Sequence, residues 1–201
     1  MIYSFEGVDG CGKTTLADKV YNILRTWNLP VVRLAEPTGV YRDLLKSGEV
    51  NNFAERFYVM MACRAKMQNE YMKNENNIVL LDRYIHSTLA YQPLQFGITE
   101  KEILEMNNDC VKPEMTFWLN TPLDICKRRL DERGRDEDDK FTDEFYADVN
   151  KAYEKMYEKQ TLNPIIKAYE LDPALPDCFS VAWLIREDYE EKIKKKGADD
   201  D

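Results

Sequence analysis

The chain has 201 residues, 44% of them hydrophobic, so it can bury one substantial core but is short for two domains. Its 28 basic and 37 acidic residues give a net charge of −9, which disfavours a polymeric nucleic-acid partner. The five cysteines form no CxxC pair, no apolar run reaches the roughly 20 residues of a membrane helix, and no signal-like segment opens the chain, so we expect a cytoplasmic protein without a membrane partner.

Five short apolar runs are predicted to be buried parallel strands, because apolar residues dominate both of their faces. They are residues 2–5, 31–35, 78–81, 115–119 and 165–171. Helical spacing of apolar residues predicts helices at residues 16–27, around residues 53–61 and at about residues 99–108. After the fourth strand, Thr121 is expected to cap a helix that has Pro122 at its first position. Strands that alternate with helices predict an α/β fold with helices on both faces of the sheet.

Two polar stretches depart from this pattern. Residues 131–140 crowd arginines and acids together without an apolar stripe, which predicts a mobile loop or a helical flap. Residues 192–201 are expected to form a frayed tail. Because the sequence holds no internal repeat and no Ser/Gly-rich linker, a single domain is predicted for residues 1–201.

The strongest motif lies between the first strand and the first helix. Residues 7–14 read Gly-Val-Asp-Gly-Cys-Gly-Lys-Thr, a complete GxxxxGK[ST] pattern in the strand–helix context that the pattern requires. The glycines let backbone N–H groups turn toward a phosphate, and the helix adds the positive end of its dipole. Lys13 is expected to neutralise the β- and γ-phosphate oxygens of ATP, and Thr14 to ligate Mg²⁺. The predicted ATP-binding set is Gly7, Gly10, Cys11, Gly12, Lys13, Thr14 and Thr15.

Two competing interpretations of this motif are weaker. A glycine-rich turn without a phosphate role would not need the complete spacing. A dinucleotide-binding turn explains the glycines but not Lys13 and Thr14, and the spacing is not GxGxxG. A P-loop alone does not separate kinases from GTPases or motor ATPases. The guanine-reading Asn-Lys-x-Asp sequence is approached only at residues 150–153, where the Asp is missing.

Four further segments narrow the choice among the classes of P-loop protein. Residues 5–10 (Phe-Glu-Gly-Val-Asp-Gly), 36–39 (Glu-Pro-Thr-Gly), 82–84 (Asp-Arg-Tyr) and 87–92 (Ser-Thr-Leu-Ala-Tyr-Gln) together resemble the thymidylate kinase family, in order and spacing and over most of the chain. The resemblance implies a P-loop NTP hydrolase fold with a five-stranded parallel core, a lid at about residues 131–142 and a homodimer. It also implies phosphate transfer from ATP to dTMP, giving dTDP for dTTP synthesis. The expected binding partner is therefore dTMP or a related deoxynucleotide.

Two residues at the end of the third strand have a chemical reason to be there. Asp82 ends a buried strand, where an acid is costly unless it meets a cation, so a place beside Mg²⁺ is expected; a helix N-cap is the alternative. Arg83 follows the strand end at which α/β sheets place their ligands, and its delocalised fork suits donor and acceptor phosphates. A surface ion pair is the alternative for Arg83.

The resemblance also assigns residues to the acceptor. Asp9 is expected to accept a hydrogen bond from the 3′-hydroxyl, and Tyr91 to crowd the 2′ position, unless it is only a core aromatic. Arg42 and Arg64 would hold the acceptor phosphate and base; a solvated helix arginine and a packed arginine are the alternatives. The full predicted set is Asp9, Glu36, Pro37, Arg42, Met60, Arg64, Arg83, Ser87, Thr88, Tyr91 and Gln92.

The predicted lid carries the candidates for a transition-state cation. The P-loop position that is basic in some relatives is Cys11, so Arg133 or Arg135 is expected to donate the charge, with Lys140 less favoured. A solvated charge run is the alternative. His86, the only histidine, is expected to be structural.

Two positions depart from the family pattern and bear on the substrate. Ala35 stands where many relatives have Arg, and Met60 where the family usually has a Phe that stacks on thymine. Methionine covers an aromatic face more loosely, so another deoxynucleoside monophosphate stays an alternative substrate, and a purely core role is the alternative for Met60. The rival functions are those of a deoxynucleoside kinase and of a P-loop switch that hydrolyses nucleotide. The Asp-Arg-Tyr sequence favours a monophosphate acceptor over a free deoxynucleoside.

Overall fold

A single parallel sheet organises the chain, and it confirms the predicted α/β class. The computed structural model describes residues 1–72, 76–134, 141–168 and 177–199. The strands are β1 (Ile2–Glu6), β2 (Val31–Ala35), β3 (Ile78–Asp82), β4 (Met115–Trp118) and β5 (Ile165–Lys167), in the spatial order β2-β3-β1-β4-β5. Every pairing is parallel, so the carboxyl ends of all five strands meet at one edge. Residues 169–171 of the predicted fifth strand lie outside the described residues.

Helices cover both faces of this sheet. They are α1 (Lys13–Thr26), α2 (Gly39–Lys46), α3 (Phe53–Met67), α4 (Ile85–Phe96), α5 (Glu100–Met106), α6 (Leu123–Arg133), α7 (Asp143–Lys159) and α8 (Asp177–Asp199), with a π-helical turn at Gln68–Met72 after α3. Helix α1 packs against α8, and α4 packs against α7. The central strands β1 and β3 are buried along their whole length because helices lie on both sides.

Local capping explains where two of the helices begin. Asn52 accepts from the Glu55 amide at the start of α3, and Thr99 accepts from the Glu102 amide at the start of α5; both glutamates bond back to complete a capping box. The predicted cap at Thr121 is wrong. Pro122 occupies the N-cap position of α6, and the Thr121 hydroxyl instead donates to the Cys11 carbonyl oxygen at 2.9 Å.

The C-terminal segment also differs from its prediction. Helix α8 continues to Asp199, so the described part of the predicted tail is helical. The Lys192 ammonium lies 2.5 Å from a Glu114 carboxylate oxygen and 2.8 Å from an Asp188 oxygen, which ties α8 to the residue before β4. Within the four described ranges, no helix is both long enough and apolar enough to cross a membrane.

Candidate active site

The P-loop joins β1 to α1 at the carboxyl edge of the sheet. Gly7, Gly10 and Gly12 have φ values of 144°, 77° and 104°, a backbone path that L side chains rarely adopt. The buried Lys13 ammonium donates to the Gly7 carbonyl at 3.0 Å and to the Val8 carbonyl at 2.8 Å. The Cys11 side chain is completely buried, so any contact that it makes to ATP must come from its backbone. The loop is thus tightly folded around its lysine, at the amino end of α1.

Gly10 lies against α6, and we predict that it does not tolerate a side chain. A Cβ atom there would lie 2.4 Å from the Cys126 carbonyl oxygen, at a φ of 77°. Gly10→Ala is expected to lower the free energy of unfolding by roughly 2 kcal/mol or more and to raise the KM for ATP, because the loop must shift. Gly48→Ala is the matched control, since Gly48 has the same φ and nothing within 4 Å. If denaturant unfolding showed an equal loss of unfolding free energy in Gly10→Ala and Gly48→Ala, the close approach to Cys126 would not be the cause.

Thr14 and Asp82 form a pair that fits Mg²⁺. The Thr14 hydroxyl donates to an Asp82 carboxylate oxygen at 2.6 Å, and Arg33 lies 3.5 Å from the same oxygen. Magnesium is commonly held by one or two protein oxygens together with water and phosphate oxygens, which matches this small donor set. The described part of the chain holds no cluster of three or more His, Cys, Asp or Glu side chains. Asp82 is not a helix cap, because Tyr84 takes that position at α4.

Arg83, Asp9 and Tyr91 form the second charged group of the site. Arg83 makes an ion pair with Asp9 and lies 5.2 Å above the Tyr91 ring, while the Tyr91 hydroxyl donates to Asp9 at 3.0 Å. Burial raises the pKa of Asp9, but the charges of Arg83 and Lys13 and the Tyr91 hydrogen bond outweigh it, so the net pKa is lowered. Burial lowers the pKa of Arg83, and Asp9 more than reverses this. Both groups therefore stay charged.

Arg64 is not among the residues that line the cleft, so its predicted direct contact with the acceptor stays a prediction. Its side chain is completely buried, with Nε 2.6 Å from a Glu36 oxygen and Nη2 donating to the Thr88 hydroxyl at 2.6 Å. A third bond goes to Asn107. Burial raises the pKa of Glu36 to about 7, against the opposing charge of Arg64. Arg64 thus lies behind the wall and orients two residues, Glu36 and Thr88, that do face the cleft.

One cleft of about 900 Å³ brings most of the predicted residues together. Those lining it are Asp9, Gly10, Gly12, Lys13, Thr14, Thr15, Glu36, Pro37, Arg42, Met60, Asp82, Arg83, Ser87, Thr88, Tyr91, Gln92 and Arg133. Gly7 and Cys11 lie in the P-loop but not on the cleft surface. Arg42 donates to the Pro37 carbonyl at 3.0 Å, which holds it over the Glu36-Pro37 turn. Arg135 and Lys140 fall outside the described residues, as does half of the predicted lid, residues 135–140.

The cleft is also lined by residues that were not predicted to belong to the site. They include Lys19, Lys46, Arg56, Gln95, Arg129 and Phe141. Arg56 lies one helical turn before Met60 on α3, so helical spacing carried a signal for it. Arg129 donates to the Cys11 carbonyl at 3.1 Å across 118 residues, a contact without a local signal. His86 is buried and bonds the Thr161 carbonyl at 2.9 Å, in agreement with its predicted structural role.

One cleft at the edge of a five-stranded parallel sheet is lined by a P-loop, by a carboxylate at the neighbouring strand end and by an arginine beside that carboxylate. This combination defines a P-loop nucleotide kinase. The thymidylate kinase family model matches residues 5–171, and the chain belongs to that family. A probable thymidylate kinase from Sulfurisphaera tokodaii is 39% identical over 128 residues, 63% of this chain and 67% of that protein.

Two further comparisons cover more of the chain. A thymidylate kinase from Fervidobacterium nodosum is 29% identical over 167 residues, covering 78% of this chain and 84% of that protein. The crystal structure of thymidylate kinase from Ehrlichia chaffeensis superposes with a TM-score of 0.67 at 26% identity, covering 93% of this chain and 97% of that one. The likeness therefore extends over nearly the whole fold.

Proposed function

We propose that this protein transfers a phosphate from ATP to dTMP, giving dTDP. The observation that carries the proposal is that one cleft is lined both by a P-loop and by further cations, among them Arg83 and Arg42. A P-loop binds the donor, and a second cationic group is what an anionic acceptor phosphate requires. The acceptor oxygen is already anionic, so in-line transfer needs positioning and charge stabilisation rather than a covalent nucleophile.

The acceptor's sugar is assigned to Asp9 and Tyr91. The Asp9 carboxylate accepts the 3′-hydroxyl, which it can do because its lowered pKa keeps it ionised. Tyr91 is fixed against Asp9 by its own hydroxyl, so its ring closes the space beside the sugar and disfavours a 2′-hydroxyl. Thr88 and Gln92 line the same cleft and meet the edge of the base.

Mg²⁺ is assigned to Thr14 and Asp82, whose oxygens lie 2.6 Å apart. When bound there, the ion supplies positive charge at the β- and γ-phosphates. We further propose a homodimer, as the family resemblance implies, and a cytoplasmic location, which the cysteine pattern favours. Helices α2 and α3 present the exposed apolar side chains of Val40 and Tyr58, which suit a surface between two copies.

An acceptor panel tests the function. The purified protein is incubated with Mg·ATP and dTMP, dUMP, dGMP, dCMP or thymidine, with ADP release and product identity both followed. We expect dTDP from dTMP as the fastest product. Preference for thymidine would indicate a deoxynucleoside kinase, and ADP release that ignores every acceptor would indicate a P-loop switch. The comparisons give no support to either of these two functions.

We predict that Met60→Phe tightens dTMP binding. Met60 faces the cleft on α3, whereas its neighbour Met61 packs against the core. A ring at position 60 would stack on the base, and aromatic pairs of this kind lower KM by about two- to fivefold. Met61→Phe is the control, expected to change thermal stability but not the KM for dTMP. If neither KM nor base preference moves in Met60→Phe, residue 60 does not contact the base.

A further inference from the structure

Glu6 is a buried carboxylate that takes no part in the phosphate chemistry described above. It ends β1 just before the P-loop and is 0% exposed. One carboxylate oxygen accepts the Tyr84 amide at 2.7 Å, and the other accepts the Ser87 hydroxyl at 2.6 Å and the Tyr153 hydroxyl at 3.1 Å. Burying a carboxylate is costly unless donors compensate it, and three donors from the start of α4 and from α7 converge on this one.

Two of these three donors connect Glu6 to Arg83. The Tyr84 amide belongs to the peptide bond that follows Arg83, and Arg83 has a φ of 72°, which is uncommon for a residue with a side chain. The amide of Arg83 itself donates to the Phe5 carbonyl at 3.1 Å. The Ser87 oxygen, in turn, accepts a hydrogen bond from the Arg83 guanidinium at 3.2 Å. The end of β1 therefore holds Arg83 by its backbone and by its side chain.

The Glu6 carboxylate also sets the direction of the Ser87 hydroxyl. The hydroxyl donates to a Glu6 oxygen, so the Ser87 proton points toward Glu6. The lone pairs of the Ser87 oxygen are then free to face the Arg83 guanidinium. An amide in place of the carboxylate would supply its own N–H groups, which would donate to the Ser87 oxygen and compete with Arg83 for it.

We propose that Glu6 is a positioning residue which, through Ser87 and the Tyr84 amide, aims the Arg83 guanidinium at the phosphates. This inference rests on the proposed kinase function. It gives Ser87 a different role from the predicted substrate contact, since its hydroxyl donates to Glu6 and accepts from Arg83. Tyr153 braces the same carboxylate from α7 but has no hydrogen bond to Arg83 among those of the described residues.

A double-mutant cycle tests the proposal. Wild-type turnover of dTMP is measured first, so that failure of the kinase function itself is seen separately. Glu6→Gln is expected to lower kcat by about thirtyfold and leave the KM for ATP within about twofold, because the partners of the Glu6 side chain lie at the start of α4 and on α7 and not in the P-loop. In an Arg83→Ala background, Glu6→Gln should lower kcat by no more than about twofold, since the two residues act as one unit. If Glu6→Gln lowered kcat by the same factor in the wild-type and Arg83→Ala backgrounds, the proposal would be overturned.

A second pair of variants decides the case if Glu6→Gln does not fold. Ser87→Ala removes the link between Glu6 and Arg83, and Tyr153→Phe removes a donor to Glu6 that does not bond Arg83. We expect Ser87→Ala to lower kcat by about tenfold and Tyr153→Phe by less than about threefold, with melting temperatures reporting the structural cost of each. Equal kcat losses in the two variants would show that the network only stabilises the fold.

Discussion

Lys13→Ala is expected to lower kcat for dTMP phosphorylation by at least about a thousandfold, since catalysis in this chemistry rests on charge placed around the transferring phosphate. The ammonium lies on the cleft surface, within 3.0 Å of two carbonyl oxygens of the P-loop. Alanine removes both the charge and these two bonds. Steady-state ADP release at saturating ATP and dTMP measures the loss, and thermal unfolding shows whether the variant remains folded.

Lys101→Ala is the control for loss of a lysine charge. Lys101 is 84% exposed on α5 and its ion pair with Glu105 is at the surface, so kcat should stay within about twofold of wild type. Near-normal turnover in Lys13→Ala, with normal folding, would mean that the P-loop is not the donor site.

Much of the fold could be predicted because its strands are buried on both faces and therefore read as continuous apolar runs. Helix α7 was missed although Tyr146, Val149, Tyr153 and Met156 are buried at helical spacing, so that signal was present in the sequence. Thr121 shows the opposite case. A local capping rule fits it, but a contact with the Cys11 carbonyl 110 residues away decides its position.

The site residues that stand at or just after the end of a strand could be predicted from the sequence. Asp82 ends β3 and Arg83 directly follows it, and both face the cleft as expected. Arg64 was not predictable in the same way. Its partners Glu36, Thr88 and Asn107 come from three other parts of the chain, so no spacing indicates that they enclose it. A family motif identifies such a residue, but only the packing shows whether it meets the substrate or orients residues that do.

Arg83→Ala is expected to lower kcat by about a thousandfold, comparable to removal of an arginine that stabilises the transferring phosphate. Arg83→Lys keeps the charge but loses the fork that reaches Asp9 and Ser87 together, so a loss of about thirtyfold is expected. The KM for ATP should change little in both variants because the P-loop residue that Arg83 contacts is Asp9, which is assigned to the acceptor's sugar and not to ATP. A normal kcat with a raised KM for dTMP would instead show that Arg83 binds the acceptor equally in the ground state and the transition state.

Backbone strain at Arg83 allows the side-chain effect to be isolated. A φ of 72° suits glycine better than alanine. The free energy of unfolding of Arg83→Gly should therefore equal that of Arg83→Ala or exceed it by up to about 1 kcal/mol. Both variants lack the guanidinium and should show the same loss of kcat. If Arg83→Gly recovered activity along with stability, the loss in Arg83→Ala would come from a distorted turn between β3 and α4. Equal kcat values at different melting temperatures would assign the loss to the missing charge.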